Sequence, residues 1–450
     1  MAITADFFAT RGAVVEGGVR AARAIGWTLP GAAAEWRAMS LPVAAAPARP
    51  AAARRRDEFT ALRNLAAQKA WLAARGIPNP YFPLHEGAAG ARTRIGGREL
   101  LNFSSYNYLG LNGHPAVSAA AKAAIDQHGT TVSASRIVAG ERPLHGELER
   151  ALAAFLGTED ALAFVSGHGT NVTAIPDLVG SGDVVFHDAH IHNSALLGAK
   201  LSGAKRVPFP HNAPAKLAAL LERHRGAARR ALIIVEGVYS MDGDPCDLPA
   251  FVTLKHRYDA RLMVDEAHAL GVLGATGRGA GEHCGVAAAE VDLWMGTLSK
   301  TLASCGGFLA GRHELIETLR YFTPGFMFSV GLPPPAAGAA LAALRTLAAE
   351  PERVTRVRAR AEFFRSLACA RGWAIGPSRD SAIVPLIVGD SERTLRLAAV
   401  LLAAGVAVPP IVYPGVAHRQ ARLRFFFNCD HTEADIHAAV AAVAAAWPAA

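Results

Sequence analysis

The sequence predicts an α/β protein: a mostly parallel central sheet covered by helices on both faces, with a smaller α+β domain attached. Three observations carry that prediction. From Ala161 the chain alternates between apolar runs that read as strands, ALAFVS, DVVFHD, RVPFP, ALIIVEG, RLMVDEAH, DLWMGT and GGFLAG, and the helical or loop segments that separate most of them. Such sheets bind ligands at the carboxyl ends of their strands. Beyond Ala336 the pattern changes to a long Ala/Leu/Arg helix pair, a strand near 383 to 388, a helix near 391 to 404, and a final strand and helix. The length of 450 residues exceeds the usual single core, and 51% hydrophobic residues suffice for a sizeable interior.

Taken in order, residues 5 to 26 place Phe7, Phe8, Val14, Val15, Val19, Ala22 and Ile25 near one face of a moderately amphipathic helix. Pro42, Pro47 and Pro50 make 40 to 53 an extended linker, so the folded body begins near Arg56. Helical periodicity follows over 58 to 75. TRIGGRELLNF, Thr93 to Phe103, is a hairpin whose Gly96-Gly97 pair suits a primed two-residue turn. SSYNYLGL and a helix over 115 to 128 come next. The expected organisation is a basic extension with its linker (1–55), the first part of a small domain (56–105), a large cofactor-binding domain (106–335), and the C-terminal part of the small domain (336–450).

Charge and cysteine usage narrow the function. Residues 1 to 56 hold eight arginines against Asp6, Glu16 and Glu35, a net +5 of the chain's +8, so the remaining 394 residues are nearly neutral. No basic stripe interleaved with aromatics and no zinc-finger spacing appears, and nucleic acid is not an expected partner. The five cysteines are scattered without a CxxC pair, which fits a reducing compartment. No apolar run reaches about 18 residues and no signal core opens the chain, so a soluble, cytoplasmic protein without a transmembrane segment is expected.

The chemistry centres on VDLWMGTLSKTLASCGGFLAG, Val291 to Gly311, where an apolar run stops at Gly296 and small residues present Lys300 at a strand end. A free lysine has a pKa of ~10.4, so at pH 7 only about one in 2,500 is the neutral amine that attacks a carbonyl. Storing it as a Schiff base with pyridoxal phosphate removes that problem, and then requires a carboxylate for the pyridine nitrogen and donors for the phosphate. Asp265 ends the strand RLMVD 35 residues earlier and can face the same cleft. FVSGHGTN, Phe164 to Asn171, is a strand, a small-residue turn and a helix start, which exposes backbone N–H groups as a phosphate cradle. It fits neither GxGxxG nor GxxxxGK[ST]. DAHIHNS supplies His190 and His192, which at i, i+2 also allow a metal pair, and EGVYSMDGD sets Ser240 on a loop at the cleft.

GTLSKTLASCGGF, VDEAHALGVLGATGRG, EGVYSMDGD, SYNYLGL and SRIVAGERPLHGELE together resemble the α-oxoamine synthases, pyridoxal-phosphate enzymes of the fold-type-I transferase architecture, over about residues 80 to 435. The motif style is closest to serine palmitoyltransferase and carrier-linked relatives, with Tyr106-Asn107 before Tyr-Leu-Gly. Ala134-Ser135-Arg136 stands in place of Gly-Ser-Arg, and Val408 precedes Pro409-Pro410 where pimeloyl-using relatives carry Arg. The resemblance implies that Lys300 holds the cofactor, Asp265 pairs with the pyridine nitrogen, His268 and Ser240 contact the ring oxygen, and His192 stacks on the ring. It implies that Gly167, His168 and Thr297 hold the phosphate, joined by Ser329 from the partner subunit of a homodimer. Arg424 in RLRFFFNCDH falls at the carboxylate-binding position, where a guanidinium fork matches a carboxylate, and Tyr106 and Asn107 would lie at the substrate.

The implied reaction is a decarboxylative condensation of an amino acid with an acyl thioester, giving an α-amino ketone and carbon dioxide. The donor would be an acyl-coenzyme A or an acyl carrier protein, whose acidity the N-terminal arginines complement. An aminotransferase or carbon–sulfur lyase of the same fold would use the same Lys300 and Asp265. A non-catalytic partner or regulatory subunit is the reading of another class, and retention of Lys300, Asp265 and His192 argues against it.

Overall fold

The apolar runs from Ala161 onward pair into one seven-stranded sheet in the computed structural model, which describes residues 59–447. The amphipathic helix over 5 to 26, the linker over 40 to 53 and the basic extension that contains them lie outside those residues. By its contacts the chain divides between Trp71 and Leu72. Among the described residues, the first unit holds only Phe59 and most of the helix Thr60–Ala74. The sheets, the core and the cleft belong to the second.

A hairpin opens the body. Strands β1 (Arg92–Ile95) and β2 (Arg98–Asn102) pair antiparallel with Ile95 opposite Arg98, and Gly96 and Gly97 sit at φ +57° and +74°. Positive φ at both turn residues is what a type I′ hairpin needs, and glycine adopts it without a Cβ clash.

The large sheet consists of β3 (Asp160–Phe164), β4 (Val184–Asp188), β5 (Lys205–Phe209), β6 (Ala231–Glu236), β7 (Arg261–Asp265), β8 (Leu293–Thr297) and β9 (Gly307–Gly311), in the order β3-β9-β8-β7-β6-β4-β5. Pairs among β4 to β8 are parallel, whereas β9 runs antiparallel to both β8 and β3. The reversal has a simple cause. A parallel crossover needs about a dozen residues or more, and the link from Leu298 to Gly306 is shorter, so the chain must turn back beside β8. That tight link is the segment that carries Lys300.

Alternation along the strands divides the interior between the two faces. Leu162, Leu232, Ile234, Met263 and Met295 pack with Ala174 and Ile175 of the helix Gly167–Leu178. Ala163, Ile233, Val235, Val264 and Phe308 pack on the other side with Leu148 and Leu152 of the helix Pro143–Leu156. Burial on both faces is why these strands read as continuous apolar runs, each fully buried large side chain contributing about 1.5–3 kcal/mol.

The smaller region has β10 (Ile383–Gly389), β12 (Pro410–Ile411) and β13 (Ala421–Phe426) in the antiparallel order β10-β13-β12. Strand β11 (Val406–Ala407) joins β2 in parallel, with Val406 opposite Leu101. The helices Ser391–Ala403 and Glu433–Ala446 follow the expected order, the second capped by Thr432 and Asp435 in a capping box.

Candidate active site

Six strands of the large sheet end at one edge, and residues at or just after the ends of β3, β6, β7 and β8 line a cleft of about 270 Å³ there. Ser166 and Gly167 follow β3, Glu236 ends β6, Asp265 ends β7, Thr297 ends β8, and Lys300 rises from the link to β9. His168, Asn171, His192 and His268 complete the lining that carries chemistry.

The lysine is held by its turn. Leu298 N–H donates to Gly306 O at 2.9 Å, Thr301 Oγ1 donates to Leu270 O at 2.7 Å, and Ser304 Oγ donates to Ala336 O at 2.6 Å. Desolvation lowers the Lys300 pKa to about 8, against the opposing pull of Asp265 and Glu236. Its Nζ lies 5.8 Å from the centroid of the Tyr106 ring.

Asp265 is buried and gripped on both oxygens. Asn171 Nδ2 donates to Oδ2 at 2.9 Å, and Ala267 N–H donates to Oδ1 at 3.0 Å. His192 caps the helix Asn193–Leu201, its Nδ1 accepting Ser194 N–H at 3.3 Å, which assigns the ring proton to Nε2. Its own N–H donates to Glu236 Oε1 at 2.5 Å. Burial lowers the His192 pKa and drives that of Glu236 well above the ordinary carboxyl value. His268 is buried with Nδ1 2.7 Å from the Tyr108 hydroxyl. Burial, reinforced by Lys300 and Arg424, holds its pKa well below the usual imidazole value, so the ring is neutral.

Arg424 projects from β13 and is buried. Its Nη1 donates to Ser240 O at 3.0 Å and the guanidinium lies 4.7 Å from the Phe426 ring, yet Nε is buried without a hydrogen-bond partner. Burial lowers its pKa, and its charge in turn depresses those of Lys300, His192 and His268. Two residues back, Arg422 donates to Asp242 Oδ1 at 2.7 Å and to Met241 O at 2.9 Å and is already paired.

Not every expected residue meets the cleft. Ser240 reaches the site through its carbonyl on Arg424, and Tyr106 through its ring over Lys300. Asn107 is turned away: its amide donates to Ala89 O at 2.7 Å and its Oδ1 accepts Asn112 N–H at 3.1 Å, which braces the loop behind Tyr106. Ser329 lies outside the lining of its own chain's cleft, between exposed Phe328 and Val330. The two histidines of DAHIHNS diverge, His190 Nδ1 facing Asp242 Oδ2 at 3.0 Å while His192 faces the cleft. Sequence reading missed two members. Glu236 carries the same signal as Asp265, an acid at the end of an apolar strand, whereas Asn171 is recognisable only once its helix lies across β7.

The residues fit pyridoxal phosphate. A Cβ at Gly167 would come within 2.6 Å of Thr297 Oγ1, so only glycine lets this helix start close against the lysine turn. Ser166 Oγ takes Gly169 N–H at 3.0 Å, which leaves the N–H groups of Gly167 and His168 without intrahelical acceptors at the positive end of the dipole. A lysine, a fixed carboxylate and an anion cradle on one sheet edge define a fold-type-I pyridoxal-phosphate enzyme.

The profile of the aminotransferase class I and II family matches residues 98–443, and the chain belongs to that family. It is 45% identical over 364 residues to the 8-amino-7-oxononanoate synthase of Geobacter metallireducens, covering 80% of this chain and 92% of that protein. It is 38% identical over 348 residues to the 4-hydroxy-2,2'-bipyrrole-5-methanol synthase PigH of Serratia sp., covering 77% of this chain and 53% of that one. The serine palmitoyltransferase of Sphingomonas wittichii shares the fold with a TM-score of 0.84 and 31% identity, over 87% of this chain and 98% of that structure. Within the family the chain is an α-oxoamine synthase, an acyltransferase that uses pyridoxal phosphate to condense an amino acid with an acyl thioester and release carbon dioxide.

Proposed function

We propose that Arg424 selects the amino acid by its carboxylate and that Lys300 is the base that removes its Cα proton. The observation that supports this most directly is the buried Arg424 Nε without a partner beside the lysine cleft. A desolvated guanidinium with one unpaired N–H and, among the described residues, no carboxylate partner gains most from a carboxylate. Pyridoxal phosphate, held by Lys300, supplies the electron sink for the negative charge at Cα, with Asp265 against its pyridine nitrogen. His192 offers a flat neutral ring above the cleft floor, and His268 with Ser240 serves the ring oxygen. Gly167, His168 and Thr297 take the phosphate. Neutral imidazoles matter here, because a second cation would compete for the carboxylate that Arg424 must hold.

In this reading residues 106–335 form the cofactor domain, and 56–105 with 336–450 form the small one, a division supported by the β2–β11 pairing. The enzyme works as a cytoplasmic homodimer in which Ser329, set between exposed Phe328 and Val330, reaches the neighbouring phosphate. Among the described residues no helix is long and apolar enough to cross a membrane. The acyl donor arrives on an acidic acyl carrier protein drawn by the N-terminal arginines. Deleting 1–55 should then slow turnover with the carrier at low salt and spare turnover with acyl-coenzyme A. The reading as a whole is tested by mass analysis of products from a panel of amino acids and acyl thioesters. An α-amino ketone with one equivalent of carbon dioxide is expected, and amino-group transfer to a keto acid without a thioester would overturn it.

A further inference from the structure

Two acids stand side by side at the ligand edge of the large sheet. Glu236 ends β6 directly opposite Asp265 at the end of β7, and Gly237 N–H carries the ladder on to Asp265 O at 2.8 Å. Both side chains are buried, and both line the lysine cleft. Asp265 has two donors, Asn171 Nδ2 and Ala267 N–H, whereas Glu236 has one among the described residues, the His192 N–H. When two carboxyls share a desolvated site, one of them is driven to keep its proton. Burial and the Asp265 charge push the Glu236 pKa well above the ordinary carboxyl value, so Glu236 is the neutral member.

The strand aims this acid at His192. Along β6, Leu232 and Ile234 pack in one cluster with Ala195 and Ala199 of the helix Asn193–Leu201, and alternation puts Glu236 on the same face. His192 is the N-cap of that helix. In a capping box the N-cap N–H is taken by Glu or Gln at the third helical position, but Ala195 stands there. Glu236 supplies the missing acceptor from 44 residues away, at 2.5 Å. The ring is fixed separately, by Ser194 Oγ at 2.7 Å from His192 Nδ1. Ser194 Oγ in turn accepts Asn171 Nδ2, which also holds Asp265. The contacts therefore run from Asp265 through Asn171, Ser194 and His192 to Glu236, and close where Glu236 lies beside Asp265.

We infer that Glu236 is a positioning residue of the condensation: its Oε1, by accepting the His192 N–H, completes the cap of the helix Asn193–Leu201 and holds the His192 ring at the cleft. The inference rests on the place proposed for His192 above the cleft floor. It requires an acceptor at this position and no charge, since an anion here would set a second negative charge beside Asp265.

The test is a double-mutant cycle on the full-length chain with two readouts, the affinity of apoenzyme for pyridoxal phosphate and kcat/KM of the holoenzyme. Glu236→Leu, which removes the acceptor at similar volume, should weaken cofactor binding and lower kcat/KM roughly 10- to 100-fold. Glu236→Gln, an uncharged acceptor, should recover most of that loss with the pH profile of the parent. In a His192→Ala background, Glu236→Leu should change either readout by no more than about twofold, because the group it positions is gone. Should the leucine variant not fold, Glu236→Ala takes its place. Additive losses in the cycle overturn the inference and leave the place of His192 intact, as do parent-like values in Glu236→Leu. A glutamine variant as poor as the leucine one also overturns it, because the charge or proton of Glu236 would then be in use. Unaltered cofactor affinity and kcat/KM in His192→Ala overturn the reading of His192 itself.

Discussion

Asn171 donates its side-chain N–H to Asp265 Oδ2 at 2.9 Å and to Ser194 Oγ at the same distance, so one buried amide ties the first turns of two helices to the carboxylate at the end of β7. In the role proposed for it Asp265 points one oxygen at a cofactor nitrogen, and Asn171 with Ala267 N–H fixes the plane of the carboxylate. Replacing Asn171 with Ala removes a hydrogen bond to a charged group, worth about 1.5–3 kcal/mol. Cofactor affinity, followed by absorbance on titrating the apoenzyme, should fall roughly 10- to 100-fold. An unchanged affinity would leave Asn171 as a packing residue only.

Lys300 yields a pH prediction. Burial brings its pKa down to about 8, so in the apoenzyme roughly one amine in ten is neutral at pH 7, against about one in 2,500 for a free lysine. The rate at which apoenzyme captures pyridoxal phosphate should therefore rise with pH, reach half its maximum near 8 and level off about one unit higher. A rate still climbing at pH 10 would mean that the cleft does not depress this amine. Borohydride trapping followed by peptide mapping should place the label on Lys300 alone.

The large sheet and the lysine turn were legible because strands buried on both faces announce themselves as apolar runs, and the hairpin because Gly96-Gly97 permits few other turns. Lys300, Asp265, His192 and His268 sit at strand ends or just after them, where sequence position is enough to place a side chain at the ligand edge. Asn107 was misleading for the opposite reason. It adjoins Tyr106, but on this irregular segment a neighbour can face the other way, and its amide is spent on Ala89 and Asn112. The role of Asn171 depends on segments distant in sequence meeting in space, which no local pattern encodes.

Arg422 and Arg424 share a strand and a face, yet Arg422 is ion-paired with Asp242 whereas Arg424, among the described residues, has no carboxylate partner. Arg424→Ala should weaken amino-acid binding by roughly 2–5 kcal/mol, the cost of removing one member of a desolvated charge pair, with cofactor affinity nearly unchanged. Arg422→Ala breaks the pair with Asp242 and should lower thermal stability more than it lowers amino-acid affinity. The reverse ranking in a substrate titration would exchange their roles.

Shared active sites can be read from mixed dimers. One subunit would carry Lys300→Ala and the other a bulky replacement of Ser329. If Ser329 serves the neighbouring cleft, both lesions fall in one site and the other stays intact, so about half of the parent activity should remain. Near-complete loss would place Ser329 in its own subunit's chemistry.

The final prediction concerns stability away from the cleft. His211 lies between two buried carboxylates, with Nδ1 3.0 Å from Asp188 Oδ1 and Nε2 3.3 Å from Asp244. Burial alone would lower its pKa, but the hydrogen bonds and charges of Asp188 and Asp244 raise it to about 10. His190 stacks on it at 4.2 Å and faces Asp242, which is held by Arg422. A histidine whose folded pKa exceeds its unfolded value near 6.5 binds its proton more tightly in the native state. Its contribution is therefore complete below about pH 6.5 and is lost as pH rises through about 10. Asp188 acts in the opposite sense. Burial raises its pKa, but His211 and the N–H groups of Asn212 and His190 outweigh that and hold it below the usual value, so its contribution is lost only in acid. Thermal melts of the parent and of His211→Gln should thus differ most near pH 6 and converge toward pH 10, the gap at pH 6 amounting to roughly a few degrees. A gap that stays constant across this range would show that His211 acts through packing, because only a proton held by Asp188 and Asp244 is lost with rising pH.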